Sequence, residues 1–247
     1  MNMEFKNKLD VIGTKMSTAY FKILDMMHRP FVRSGANDPY HVTFKEFIST
    51  GAKLSSPTIL EIGSRNVTGV TRRHLFPTCE KYVGFDIHEG SGVDVVGDVH
   101  KLSTYFPKNH FDLVYTVAVF EHLLFPWKVA LEINKVMKVG GYIFVGTVST
   151  WPTHELPWDF WRYQYNGFHS LFNKYTGFDI VSIGEGLPCK AYSLVDDIPT
   201  RGICNHTLNQ GVAVIARKSG DYREDLLRWD IETSDVVLTM YPNNKSK

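Results

Sequence analysis

The amino-acid sequence predicts an α/β fold around an open, mostly parallel sheet, and three stretches carry that prediction. Residues 58–69, TILEIGSRNVTG, read as a short buried strand that stops in a sharp turn at Gly63 and leads into a helix. Lys81 to Ile87, KYVGFDI, reads as a second strand, and its terminal acid, Asp86, lies 25 positions beyond Glu61, the spacing of strand, crossover helix and strand. From Pro126 an amphipathic helix carries Val129, Ile133, Val136 and Met137 on one face and is stopped by Gly140 and Gly141 ahead of the apolar strand YIFVGTV. Glu61 and Asp86 both stand at strand ends, and open α/β sheets bind ligands in the crevice beyond the carboxyl ends of their strands.

Composition narrows the class. With 247 residues, 43% hydrophobic and 21% charged, the chain is expected to form one catalytic domain with an added cap. The formal net charge of +1 predicts no long-range attraction to nucleic acid or to an anionic membrane, so a small or locally recognised substrate is expected. MNMEFKNKLD lacks the apolar run of a signal peptide, and no apolar stretch approaches the roughly 18 residues of a membrane span. A cytoplasmic protein follows as the expectation. Cys79, Cys189 and Cys204 are odd in number and form no C-x-x-C, which argues against a disulfide framework or a zinc knuckle.

Ahead of the first strand, Leu9, Ile12, Met16, Ala19, Tyr20, Ile23 and Met27 recur at helical spacing up to Arg29-Pro30. A second helix starts after Asp38-Pro39 and carries Phe44, Phe47 and Ile48; Phe21, Tyr40 and Phe44 are aromatic candidates for a pocket wall. At the strand-turn itself charge decides what the crevice could hold. A dinucleotide-binding turn begins with glycine, whereas here Glu61 occupies that place, and a carboxylate repels a pyrophosphate. A cationic ligand suits it better. Glu61-x-Gly63, followed by Ser64 and Arg65, resembles the first motif of the class I S-adenosylmethionine-dependent methyltransferases, although the family often has three glycines in this turn.

That resemblance extends along the chain. It implies that Asp86, with Ile87, meets the ribose hydroxyls, and that Asp98 after the short strand in VDVVGDVHKL meets the adenine amino group, with Val99 offering its backbone to the ring. Asp94 and His100 read as surface residues. FDLVYTVAVFEHL (111–123) is similar to the family's fourth motif and puts Thr116 and Val117 near the methionine end. The implied fold is a Rossmann-like seven-stranded sheet, mostly parallel with an antiparallel last strand, helices on both faces and an amino-terminal helical cap. Residues 1–57 would be the cap, 58–220 the core and 221–247 a tail packed on it.

Beyond the fifth strand, STWPTHELPWDFWRYQYNGFHSLF (149–172) concentrates aromatic and polar groups. Trp151, Trp158, Asp159, Trp161 and Arg162 are the candidate acceptor-binding residues, on a loop followed by a helix from about Asp159. Equally open at this point is a surface pair of Asp159 with Arg162 over tryptophans that belong to the core. His154, with His122 second, is the candidate base for a hydroxyl acceptor. Related enzymes use Glu-x-x-Glu-His and a later histidine to hold a divalent metal, but Ala118 stands at the first of those positions, so no metal is expected and Glu121 and His122 are read as helix-capping residues bordering the pocket. The last strands are read at 177–184 and 211–218 as an antiparallel pair, and a tail helix at Tyr222–Trp229 is followed by the apolar patch VVLTMY and a disordered end from Asn244.

The expected activity is transfer of a methyl group from S-adenosylmethionine to an oxygen of a small or sugar-containing acceptor, releasing S-adenosylhomocysteine. RNA or protein methylation, with Arg65, Arg72 and Arg73 as a basic patch, and a non-catalytic S-adenosylmethionine-binding module stay open. A homo-oligomer is compatible with the long segment between the last two strands, and no membrane partner is expected.

Overall fold

The computed structural model describes residues 3–230, with side-chain surroundings from residue 15 onward. The side-chain face assigned to Leu9 and Ile12, the VVLTMY patch and the carboxyl-terminal end lie outside those bounds. The chain divides after Gly35 into two compact units. The first contains helix α1 (Met3–His28), which runs into a single 3-10 turn at Arg29–Phe31 where Pro30 follows. Its end matches the expected stop, since proline cannot supply the N–H that a continuing helix needs.

The second unit is the α/β body. Helix α2 (Pro39–Ala52) begins where Asp38 caps it, its Oδ1 accepting the Tyr40 N–H at 3.0 Å. Strands β1 (Thr58–Ile62), β2 (Lys81–Asp86), β3 (Val95–Val96), β4 (Phe111–Val117), β5 (Met137–Val148), β6 (Phe178–Cys189) and β7 (Leu208–Lys218) form one sheet in the order β3-β2-β1-β4-β5-β7-β6. The first five pair in parallel, and β7 runs antiparallel to both its neighbours. Alternation along each strand splits the core between two faces. Leu60, Ile62, Val83, Phe85 and Val114 pack under Val129, Ile133 and Val136 of helix α3 (Pro126–Val136). On the other face Ile59, Tyr82, Leu113, Tyr115, Phe144 and Ile215 close around Phe47 of α2, which is fully buried.

Four expectations are corrected by the fold. The link between β1 and β2 contains no α-helix, only a 3-10 turn at Arg73–Leu75 within VTRRHLF. Its backbone is captured instead by side chains: Asn66 Oδ1 takes the Gly69 N–H at 2.7 Å, while Arg72 and Arg73 both reach inward, to Glu61 and Asp94, from positions that would diverge by about 100° on a helix. No helix begins near Asp159 either. The Phe160 and Trp161 N–H groups both donate to the Glu121 carbonyl (2.9 and 3.1 Å), and the only α-helical residues of that segment form the short helix α4 (Phe168–Leu171).

Residues 222–229 likewise form a turn rather than a helix: the Leu226 and Leu227 N–H groups both donate to the Arg223 carbonyl, and the segment is anchored by the Tyr222 and Arg223 N–H groups to Asn134 Oδ1 and the Tyr175 carbonyl. Finally, β5 starts at Met137, ahead of Gly140 and Gly141, and passes through them as an irregularity in its pairing with β4. Gly140 sits at φ +88°, and a Cβ on Gly141 would lie 2.7 Å from the Asp112 carbonyl oxygen, so the pair bends the strand instead of ending a helix.

Candidate functional site

The carboxyl ends of β1, β2 and β4 open onto a cleft of about 780 Å³. Of the residues the sequence reading nominated for the cofactor, Glu61, Gly63, Ser64, Arg65, Asp86, Ile87, Asp98, Val99 and Val117 line it. Thr116 does not: it is fully buried in β4, one residue short of Val117. Gly63 makes the turn possible. Its φ is +79°, and a Cβ there would stand 2.3 Å from Val119 Cγ2, so the β1 turn and the loop after β4 interlock.

Each strand-end acid is held by its own set of donors. Glu61 is 8% exposed; the Tyr82 hydroxyl donates to its Oε2 and meets the Tyr115 hydroxyl, while Arg72 lies 3.8 Å from Oε1. Burial raises the Glu61 pKa against the pull of those phenols and of Arg72 and Arg73. Asp86 accepts the Arg65 and His88 N–H groups at 3.2 and 3.0 Å, which aims it into the turn. Asp98 caps the 3-10 turn that follows and pairs with His100 Nδ1 at 2.7 Å. Burial would raise the Asp98 pKa, but the His100 ring and N–H and the Lys101 charge outweigh it and hold the carboxyl below its ordinary value.

His100 therefore corrects the surface reading given to it, whereas Asp94 is exposed as expected. His100 is 3% exposed and its Nε2 accepts the Phe125 N–H at 3.3 Å, tying Asp98 to the start of α3. Asp94 accepts the Gly84 N–H at 2.8 Å and pairs with Arg73. Arg65, Arg72 and Arg73 consequently each face a carboxylate, Asp86, Glu61 and Asp94 in turn.

After β4 the backbone turns through Ala118 at φ +55° and Val119 into a 3-10 turn at Phe120–His122. Here the cleft ends against His122, Leu123 and Trp158. The His122 Nδ1 donates to the Trp158 carbonyl, and the His154 ring packs edge-on to that of His122 with centroids 4.8 Å apart. Of the aromatic-loop candidates only Trp158 lines the cleft; Trp151, His154, Asp159, Trp161 and Arg162 stand outside the lining. They brace the loop. Arg162 binds both Asp159 oxygens (2.6 and 2.7 Å) and the Trp151 and Pro152 carbonyls (both 3.1 Å), and Asp159 also accepts the His154 N–H at 2.9 Å. The Arg162 hydrogen bonds outweigh burial and hold the Asp159 carboxyl far below the usual carboxylate range. Trp161 packs on Trp127 and donates its Nε1–H to the Leu123 carbonyl at 2.7 Å.

Two groups near this end had other parts in the sequence reading, Glu121 as a helix cap and Tyr40 as an aromatic candidate for a pocket wall. Glu121 caps no helix: it is fully buried, its Oε2 accepting the Thr147 hydroxyl at 2.6 Å. Tyr40, on α2, approaches the β5 end so closely that a Cβ on Gly146 would lie 2.6 Å from its hydroxyl. Burial and the Glu121 charge push the Tyr40 pKa up to about 12, against Arg72. A Pro-Tyr dipeptide placed by an aspartate cap carries no signal of this pairing; only the sheet brings Tyr40 to Glu121.

The cleft's donor set fits a cationic nucleoside. Acids stand at the ends of β1 and β2 and just beyond β3, the lining arginines Arg65, Arg72 and Arg73 each face a carboxylate, and Ser64 Oγ is buried in the lining without a hydrogen-bond partner among the described residues.

Residues 60–145 match the family model described as "Methyltransferase domain". No curated protein matches the chain. Among solved structures, a candidate methyltransferase from Bacillus halodurans C-125 superposes with a TM-score of 0.56 at 13% identity, over 72% of this chain and 100% of that one. A SAM-dependent methyltransferase from Archaeoglobus fulgidus gives 0.50 at 17% identity, over 79% and 99%. A candidate sarcosine dimethylglycine methyltransferase from Galdieria sulphuraria gives 0.50 at 13% identity, over 73% and 85%. At these identities the likeness is one of fold.

Proposed function

We propose that this chain, which carries a class I S-adenosylmethionine-dependent methyltransferase domain, methylates a hydroxyl oxygen on a small or sugar-containing acceptor. The observation that carries the reading is the end of the cleft: the loop after β4 runs directly into His122 and Trp158, with the His154 ring edge-on to that of His122. Bound S-adenosylmethionine supplies an electrophilic methyl carbon on a positively charged sulfur. Glu61, Asp86 and Asp98 hold its ammonium, ribose and adenine ends, with Gly63 and Ser64 giving the backbone close approach. Val117, Val119, Leu123 and Trp158 exclude water from the acceptor end.

An acceptor oxygen placed in line forms its bond to the methyl carbon as the carbon–sulfur bond breaks, the electron pair returning to sulfur to leave S-adenosylhomocysteine. The hydroxyl must lose its proton in that step, and the imidazole lone pairs of His154 first and His122 second are the groups that meet it. Pairing of Arg65, Arg72 and Arg73 with acids favours this acceptor class over RNA, because paired guanidiniums attract phosphates weakly.

Calorimetry with S-adenosylmethionine, S-adenosylhomocysteine and NAD tests the cofactor side; the first two are expected to bind and NAD is not. Transfer of labelled methyl onto metabolite pools tests the acceptor side, with products expected among hydroxyl-bearing compounds. His154→Ala is expected to lower kcat by roughly 100-fold with cofactor affinity unchanged. Full turnover in that variant would remove His154 from the reaction.

A further inference from the structure

We infer that Glu121, His122 and His154 bind one divalent metal ion at the acceptor end of the cleft, leaving coordination positions open for an oxygen of the methyl acceptor. The ion's part in catalysis rests on the hydroxyl reading above; its binding does not. Ligand-capable atoms of the three side chains all lie within 4.8 Å of one another. Glu121 is fully buried, and its Oε1 has no hydrogen-bond partner among the described residues, while Oε2 is taken by Thr147. A buried carboxylate with an oxygen left unmet is costly unless a cation faces it. Arg162 cannot serve, since both of its terminal nitrogens are committed to Asp159.

The imidazoles are turned for coordination. Nδ1 of His122 faces the Trp158 carbonyl and Nδ1 of His154 faces the Pro152 carbonyl at 3.1 Å; a carbonyl only accepts, so in each ring the proton sits on Nδ1 and the lone pair on Nε2. Metal-bound histidines are held in this way, by a backbone acceptor on the remote nitrogen. Ligands at about 2.0–2.2 Å from an ion stand roughly 3–3.5 Å apart. The triad therefore closes by about 1–2 Å, a movement available to His154, whose side chain is 31% exposed on its loop.

Two imidazoles and one carboxylate select zinc, manganese, iron or cobalt over magnesium and calcium, which prefer all-oxygen sets. An acceptor hydroxyl on such an ion loses its proton to solvent more readily, and its oxygen then attacks the methyl carbon as the carbon–sulfur bond breaks. With the ion bound, the histidine lone pairs are engaged in coordination, and the ion, with solvent as proton acceptor, takes over the part given to them above.

Chelator-treated protein titrated with Co2+, followed by visible absorption, and with Zn2+, followed by calorimetry, tests the site. One ion per chain is expected, with affinity falling at least 100-fold in Glu121→Gln and in His154→Ala, both retaining native circular dichroism and S-adenosylmethionine binding. Absence of uptake, or equal uptake by both variants, overturns the site. Hydroxyl methylation that persists in metal-free protein overturns the ion's catalytic part and leaves the acceptor reading standing. Ion uptake accompanied by methyl transfer only to nitrogen or carboxylate acceptors supports the site and overturns the acceptor reading instead.

Discussion

Glu61 shows at the scale of one residue how a binding group and a stable core compete. It sits among phenols with its pKa raised, so the folded protein binds its proton more tightly than the unfolded chain does. The sign follows from linkage: a carboxyl raised on folding costs nothing below its unfolded pKa and destabilises the fold once the pH exceeds the folded pKa. Glu61→Gln is therefore expected to raise the urea midpoint of the ligand-free protein at pH 7 to 8, with the gain vanishing below about pH 4. The same variant is expected to bind S-adenosylmethionine roughly 10- to 100-fold more weakly by calorimetry, as loss of a charge-assisted contact implies. A variant that lost stability at neutral pH would contradict this account of the site.

At the scale of elements, Asp38 joins two distant parts of the chain. One carboxylate oxygen caps α2 and the other accepts the Leu187 N–H of β6 at 2.8 Å. Asp38→Ala is expected to cost about 1–2 kcal/mol in urea denaturation, with Asp38→Asn recovering part of it. Such long-range ties explain what sequence could and could not reveal. The strands were legible because Thr58–Ile62, Lys81–Asp86 and Phe111–Val117 are apolar runs ending in turn residues, and Asp86 and Asp98 were legible because strand ends deliver them to the cleft. The crossover helix expected between β1 and β2 is absent, and Arg72 and Arg73 there pair instead with Glu61 and Asp94, partners of which local propensity carries no record. For the same reason Tyr82 and Tyr115 gave no hint that they would close on Glu61, and His100, two residues past an acid, read as surface.

At the scale of the whole molecule, the sheet, both core faces and the cleft are built from residues beyond Gly35. A chain starting at Ala36 is accordingly expected to keep its S-adenosylmethionine affinity within about twofold, measured by calorimetry. A large loss would assign the first helix a share in cofactor binding. The helix-free connection between β1 and β2 has one more outcome. Residues 67–74, which form part of the cleft wall, are tied by few backbone hydrogen bonds, whereas β1 and β4 beside them are laddered on both edges. Amide protons in that wall should swap for deuterium through small local openings, and those of the two strands only when the entire unit unravels. Adding S-adenosylhomocysteine should slow the wall by an order of magnitude or more while barely touching the strands, so mass spectrometry of one short peptide would report whether the cleft is filled.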